Sequence, residues 1–135
     1  MVVCFLRDQP DIPSLYIDGK PLERLSVFKV LGITLNDQLK WNNHVEVMVK
    51  KASKRLYILR VLRRSGVPAC DLLTIYYAII RSVLEYACAV WHTNLPSYLT
   101  RMIEMVQKRA LRILYPGTHY CDALQAAHCH RLDDK

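Results

Sequence analysis

Residues 49–66, VKKASKRLYILRVLRRSG, contain no aspartate or glutamate, although seven of the eighteen are Lys or Arg. A neutral, solvated helix face interleaves acids with bases, because opposite charges three or four residues apart stabilise one another. That kind of face is excluded here. The chain also lacks internal repeats and low-complexity tracts, and its 52% hydrophobic and 23% charged composition excludes wholesale disorder. The apolar run over residues 1–6 is too short for a secretory signal. The five cysteines (Cys4, Cys70, Cys88, Cys121 and Cys129) are odd in number and scattered. This argues against a disulfide framework and for free thiols inside the cell rather than secretion.

What is present is one domain's worth of chain, 135 residues, with a net charge of +7. The excess favours a polyanionic partner. It is not evenly spread: residues 1–40 are net neutral, residues 41–66 carry +6 and residues 95–117 carry +3, while the two remaining segments are each −1. The most apolar window, residues 72–91, is long enough to cross a bilayer, but Arg81 and Glu85 lie in it at i,i+4 spacing. Two charges near mid-membrane are costly, so a core helix holding an Arg81–Glu85 pair is expected, and no membrane partner.

The first forty residues read as β structure. VVCFL is a short strand. SLYIDGKPLERL is a hairpin turning at Asp18-Gly19, and Gly32 in SVFKVLGITL marks a turn or bulge. Helical periodicity then takes over. A first helix should run from near Trp41 to Arg64, stopped by Ser65-Gly66 and Pro68. Val45, Met48, Val49, Ala52, Leu56 and Leu59 fall on one side of it, within an arc of about 100°. A second helix spans residues 69–91 and is apolar nearly all round, with Tyr76, Tyr86 and Trp91 expected in the core. A third runs from Ser97 to Pro116-Gly117, its stripe being Leu99, Met102, Ile103, Val106, Ala110, Ile113 and Leu114. A shorter fourth helix over residues 121–128 is weaker. The fold class is α+β, mainly α: a short N-terminal β-hairpin segment followed by a bundle of three to four helices.

Lys50, Lys51, Lys54, Arg55, Arg60, Arg63 and Arg64 on the first helix could neutralise phosphates, as could Arg101, Lys108, Arg109 and Arg112 on the third. Such contacts read backbone and shape, not base sequence. Cys121, His128, Cys129 and His130 are ligand types that zinc takes, but neighbouring helical residues point about 100° apart, so no metal is expected.

Two sets of residues carry a family likeness. VFKVLGITLNDQLKWNNHV with KKASKRLYILRVLRRSGV, and IRSVLEYACAVWHTNLP with IEMVQKRALRILYPG, together resemble the region just after the catalytic palm of non-LTR, LINE-like or jockey-like, retrotransposon reverse transcriptases. The resemblance implies a remnant of palm edge and primer-grip hairpin in residues 1–40, a thumb-like helical bundle in 41–117, and a short C-terminal helix or tail in 118–135. It places Phe28, Leu31 and Gly32 at the primer-grip turn and the basic helix residues along the backbone of an RNA–DNA or DNA duplex, in nucleus or cytoplasm. It also implies a parent enzyme using Mg²⁺ held by carboxylates, including an aromatic-Ala-Asp-Asp turn. This sequence holds no such turn. The expectation is therefore a truncated RNA-directed DNA polymerase segment of a mobile element that is no enzyme as an isolated chain, with no catalytic residue and no cofactor. The alternative is a helical structural or protein-interaction module with an incidental basic surface. LKWNNHVEVMVKKASKRLYILRVLRR also resembles a helical segment at the N-terminus of an AlkB-type dioxygenase. That chemistry needs a His-x-Asp pair, which none of the five histidines provides.

Overall fold

The computed structural model describes residues 11–93 and 95–132. The expected VVCFL strand and Cys4 lie outside the described residues. The chain divides into two units, one ending at His44 and one beginning at Val45.

The first unit is two antiparallel hairpins. In the first, β1 (Tyr16–Ile17) pairs with β2 (Lys20–Pro21), and Ile17 opposes Lys20 across Asp18-Gly19. In the second, β3 (Val27–Val30) pairs with β4 (Ile33–Asn36), and Val30 opposes Ile33 across Leu31-Gly32. Both loops have positive φ at both central residues, 48° and 74° in the first, 50° and 82° in the second. This is the turn hand that matches strand twist in a two-residue hairpin, and it is why Gly32 is a turn and not a bulge. Asp tolerates the left-handed region and Gly is at ease there. Leu31 is neither, and holding it at φ 50° costs about 1–2 kcal/mol.

Among the described residues of this unit, Thr34, Asn36 and His44 are buried, and all three are polar. They direct the chain out of β4. The Asn36 side chain accepts from the Lys40 amide at 2.6 Å and donates to the side-chain oxygens of Asn42 and Asn43, each at 3.3 Å. Nδ1 of His44 accepts from the Thr34 amide at 3.3 Å, and the His44 ring meets Trp41 edge-on. The apolar side chains point elsewhere: Leu15, Tyr16, Ile17, Leu22, Leu25, Val27, Phe28 and Val30 are all exposed. Strand pairs this short, without an apolar interior, are marginal by themselves.

The second unit is helical. α1 (Asn42–Arg64) begins in the first unit and buries Val45, Met48, Ala52, Leu56 and Leu59, with Val49 half-buried, as its periodicity requires. α5 (Ser97–Leu114) buries Leu99, Ile103, Val106, Ala110, Leu111 and Leu114, with Met102 and Ile113 half-buried. α6 (Tyr120–Ala126) ends two residues before His128, which takes a left-handed φ of 50°.

The stretch Ala69–Trp91, which alone among the described residues is long and apolar enough to cross a membrane, is not one continuous α-helix. It runs as α2 (Ala69–Tyr76), a π-helical turn (Tyr77–Arg81), α3 (Ser82–Glu85), a break at Tyr86-Ala87, and α4 (Cys88–Trp91). The wide turn lets the Ala78 and Ile79 carbonyls take side-chain donors, from Ser82 at 2.5 Å and Arg55 at 2.6 Å. At the break Ala87 is left-handed, and the Trp91 indole N–H donates to the Tyr86 carbonyl at 2.7 Å. Tyr76 and Trp91 are fully buried, but Tyr86 is 53% exposed. The expectation of a core Tyr86 is thus corrected: it assumed a helix that carried on through residue 86, whereas the break swings that side chain outward. Burial along α2, the π turn and α3 falls on Leu72, Tyr76, Ile80, Arg81 and Leu84, with Cys70, Thr74, Tyr77 and Ser82 exposed, so the helix is covered on one side rather than all round.

A polar cluster lies inside this unit. Gln107 Oε1 accepts from the Tyr76 hydroxyl at 2.8 Å and from Arg81 at 3.0 Å, while its Nε2 donates to the His130 carbonyl at 3.0 Å and to the Tyr120 hydroxyl at 3.2 Å. Tyr120 in turn donates to Glu104, whose other oxygen accepts from the Leu132 amide at 2.8 Å. Arg81 forms the expected pair with Glu85 at 3.0 Å. Burial pushes the Tyr76 and Tyr120 hydroxyls well above the usual tyrosine range, so both remain protonated donors.

Replacing Gln107 by Leu keeps volume but strips four partners of their acceptor or donor. It should destabilise the chain by about 3 kcal/mol, read as a lower urea midpoint with unchanged slope. The first unit should respond to pH. Burial lowers the pKa of His44 below 6.5, and its Nδ1 can accept from Thr34 only when neutral. The unfolded chain therefore takes up the proton first, and this stabilisation, present above pH 6.5, is lost progressively as pH falls below it. Hydrogen exchange of the Thr34 amide, corrected for intrinsic rates, should speed up in that window; constant protection down to about pH 5 would contradict the assignment.

Candidate nucleic-acid interface

Each expected site residue lies among the described residues. On α1, Lys50, Lys51, Lys54, Arg60, Arg63 and Arg64 are exposed and Arg55 is half-buried. The two ion pairs seen among the described residues, Arg81–Glu85 and Arg131–Glu104, use none of them. Lys50 and Lys54 stand one turn apart on the face opposite the buried stripe. The same face carries Val47, Tyr57 and Val61, and Tyr57 is 66% exposed. The outward side of α1 is therefore basic with an aromatic and aliphatic seam. Tyr57 can stack there, although nothing in the composition singled it out from the core tyrosines.

Arg55 sits at the edge of the buried stripe of α1 and Arg63 continues that stripe at the helix end, and each donates to a carbonyl of another element. Arg55 donates to the Ile79 carbonyl in the π turn, and Arg63 donates to the Leu114 carbonyl at the end of α5. Both spend donors on the fold, which sequence spacing does not reveal. The lysines and the remaining arginines have no such duty among the contacts described.

On α5, Arg101, Lys108, Arg109 and Arg112 are exposed, as are Tyr98 one turn before Arg101 and Met105 between Arg101 and Lys108. Arg101, Lys108 and Arg112 line one edge over about 16 Å of helix, at 1.5 Å per residue. Lys108 Nζ rests 5.0 Å over the Tyr120 ring.

In the first unit, Leu31 and Gly32 form the tip of the β3–β4 hairpin, and Leu31 is 85% exposed. Phe28 stands opposite Leu35 on β3. It also lines an apolar cleft of about 320 Å³ with Ile12, Pro13, Leu15, Leu22 and Leu25. A large apolar side chain held in a strained conformation at a solvent-exposed tip is an outlier that invites a functional explanation.

Sequence reasoning missed the interior polar residues. Glu104 and Gln107 are buried. The signal was available: Gln107 falls four residues after Ile103 and three before Ala110, inside the apolar stripe. Among the described residues no three His, Cys, Asp or Glu side chains converge to hold a metal ion, and the four described cysteines are free thiols. Among the described residues no set of carboxylates converges that fits the Mg²⁺ implied by the family likeness.

The chain matches a family model described as "Alkylated DNA repair protein alkB homolog 8, N-terminal" over residues 41–82, under a third of its length and covering α1, α2, the π turn and the first residue of α3. No solved structure matches. Among curated proteins, it is 28% identical over 116 residues to "Probable RNA-directed DNA polymerase from transposon X-element" of Drosophila melanogaster, and 26% identical over 113 residues to "Probable RNA-directed DNA polymerase from transposon BS" of the same organism. These alignments cover 83% and 82% of the chain and 12% of each relative. By these comparisons the chain is similar, over most of its length, to a short segment of transposon RNA-directed DNA polymerases.

Proposed function

We propose that this chain is a reverse-transcriptase-related segment comprising a primer-grip-like hairpin and thumb-like helices, which touches the sugar–phosphate backbone of nucleic acid and does not itself form bonds. The observation that carries the reading is the outward face of α1. Among the described residues, the exposed side chains of Lys50, Lys51, Lys54, Arg60 and Arg64 make no ion pair with an acid, against a single acidic residue, Glu46, in the helix. Fixed positive charge without internal compensation repels itself, and a polyanion relieves that repulsion while releasing counterions. The Arg101–Lys108–Arg112 edge of α5 adds a second run. Leu31 at the hairpin tip supplies an apolar contact to a strand end, and the strain it bears is repaid in that contact. Nothing in these surfaces reads base edges, so recognition rests on shape and charge. Such a chain would work where its polyanion resides, in nucleus or cytoplasm.

The exposed apolar side chains of the hairpin unit favour a second reading, a module that docks on protein. Salt separates the two. With about five phosphate contacts, affinity for an RNA–DNA hybrid should fall on the order of 10²–10³-fold between roughly 50 and 200 mM salt. A flat response would leave the protein-docking reading in possession. Replacing Lys50, Lys51 and Lys54 together by Glu should cut the log–log salt slope by about three while leaving helical circular dichroism intact. Leu31→Asn should stabilise the β3–β4 hairpin by about 1 kcal/mol, since Asn suits the left-handed turn, yet weaken hybrid binding. Tighter or equal binding by that variant would remove the tip from the interface.

A further inference from the structure

A cleft of about 300 Å³ opens where the last turns of α5 face the start of α6. Lys108 and Arg112 line it from α5, Thr118 and His119 from the loop, and Tyr120 from α6; no acidic side chain lines it. The loop returns because Gly117 takes a φ of 77° and the Thr118 amide donates to the Tyr115 carbonyl at 3.3 Å. The walls are built rather than loose. Tyr120 is fixed by its hydroxyl, which donates to buried Glu104 and accepts from buried Gln107, and its ring carries the Lys108 ammonium. One explanation for cations here is compensation of the α5 C-terminal dipole. That accounts for Arg112, but Arg63 already caps the Leu114 carbonyl. It also leaves unexplained why a hydroxyl and an imidazole arrive from the opposite wall.

We propose that this cleft seats one phosphodiester of the bound nucleic acid, with Thr118 and His119 donating hydrogen bonds to its oxygens and Lys108 and Arg112 supplying charge. The inference rests on the nucleic-acid reading above and adds Thr118 and His119, which no helical pattern pointed to. The cleft lies at the end of the Arg101–Lys108–Arg112 edge. A strand following that edge, at about 3.4 Å per nucleotide, passes about five nucleotides and ends in the cleft. The volume is that of a small-ligand pocket, ample for a tetrahedral anion with some of its water.

The test measures RNA–DNA hybrid affinity across salt for the full chain and for Thr118→Val, His119→Ala and Arg112→Ala. Both loop side chains are hydrogen-bond donors at exposed positions, so their replacement should spare the fold. Thr118→Val and His119→Ala should each weaken binding about three- to tenfold with the salt slope retained, and Arg112→Ala should lower the slope by about one. If the parent chain binds with a steep slope and the two loop variants bind equally well, the cleft assignment is wrong while the basic-face reading stands. If the parent chain does not bind hybrid at all, both fall. Inorganic phosphate that shifts the Thr118 and His119 amide resonances, combined with unchanged hybrid binding by the variants, would make the cleft a free-anion site and overturn the backbone assignment.

Discussion

Gln107 stands fully buried in the middle of α5, and both ends of its carboxamide are engaged: Tyr76 and Arg81 on the oxygen, Tyr120 and the His130 carbonyl on the nitrogen. A buried amide with a missing partner costs on the order of 1–3 kcal/mol, so each element that supplies a partner is held to its place. α2 with the π turn, α6 and the residues after it are tied to α5 through this one side chain. An apolar residue could fill the same volume, but it would not specify which tyrosine or which arginine meets it.

Two acids of the helical unit turn toward this interior: Glu104 takes Tyr120, the Leu132 amide and Arg131, and Glu85 takes Arg81. Among the described residues of the unit, Glu46, Asp71 and Asp122 remain exposed, too few to offset the exposed Lys and Arg of α1 and α5.

Much of this was legible in sequence. The Asp18-Gly19 and Leu31-Gly32 turns, the buried stripes of α1 and α5 and the Arg81–Glu85 pair all follow from local rules that tertiary structure did not override. The breaks in the second helix were not legible, because Tyr86-Ala87 holds neither Gly nor Pro, and the carbonyls freed at the π turn are taken by Ser82 and by Arg55 from another helix. The basic residues of the proposed interface could be named from the sequence alone. Helical spacing sets Lys50 and Lys54 away from the buried stripe and Arg55 and Arg63 nearer to it, but not which carbonyls the two arginines reach. Thr118 and His119 sit in a loop, where periodicity says nothing.

Those two inward arginines have a mechanical consequence. Arg55 reaches the π turn and Arg63 reaches the end of α5, from points eight residues, or about 12 Å, apart along α1. Two anchors at different heights on one rod fix its roll about its own axis. A slip of a single residue would rotate α1 by about 100° and carry Lys50 and Lys54 toward its packed side. The direction in which the lysines aim is set by a pair of guanidinium pins.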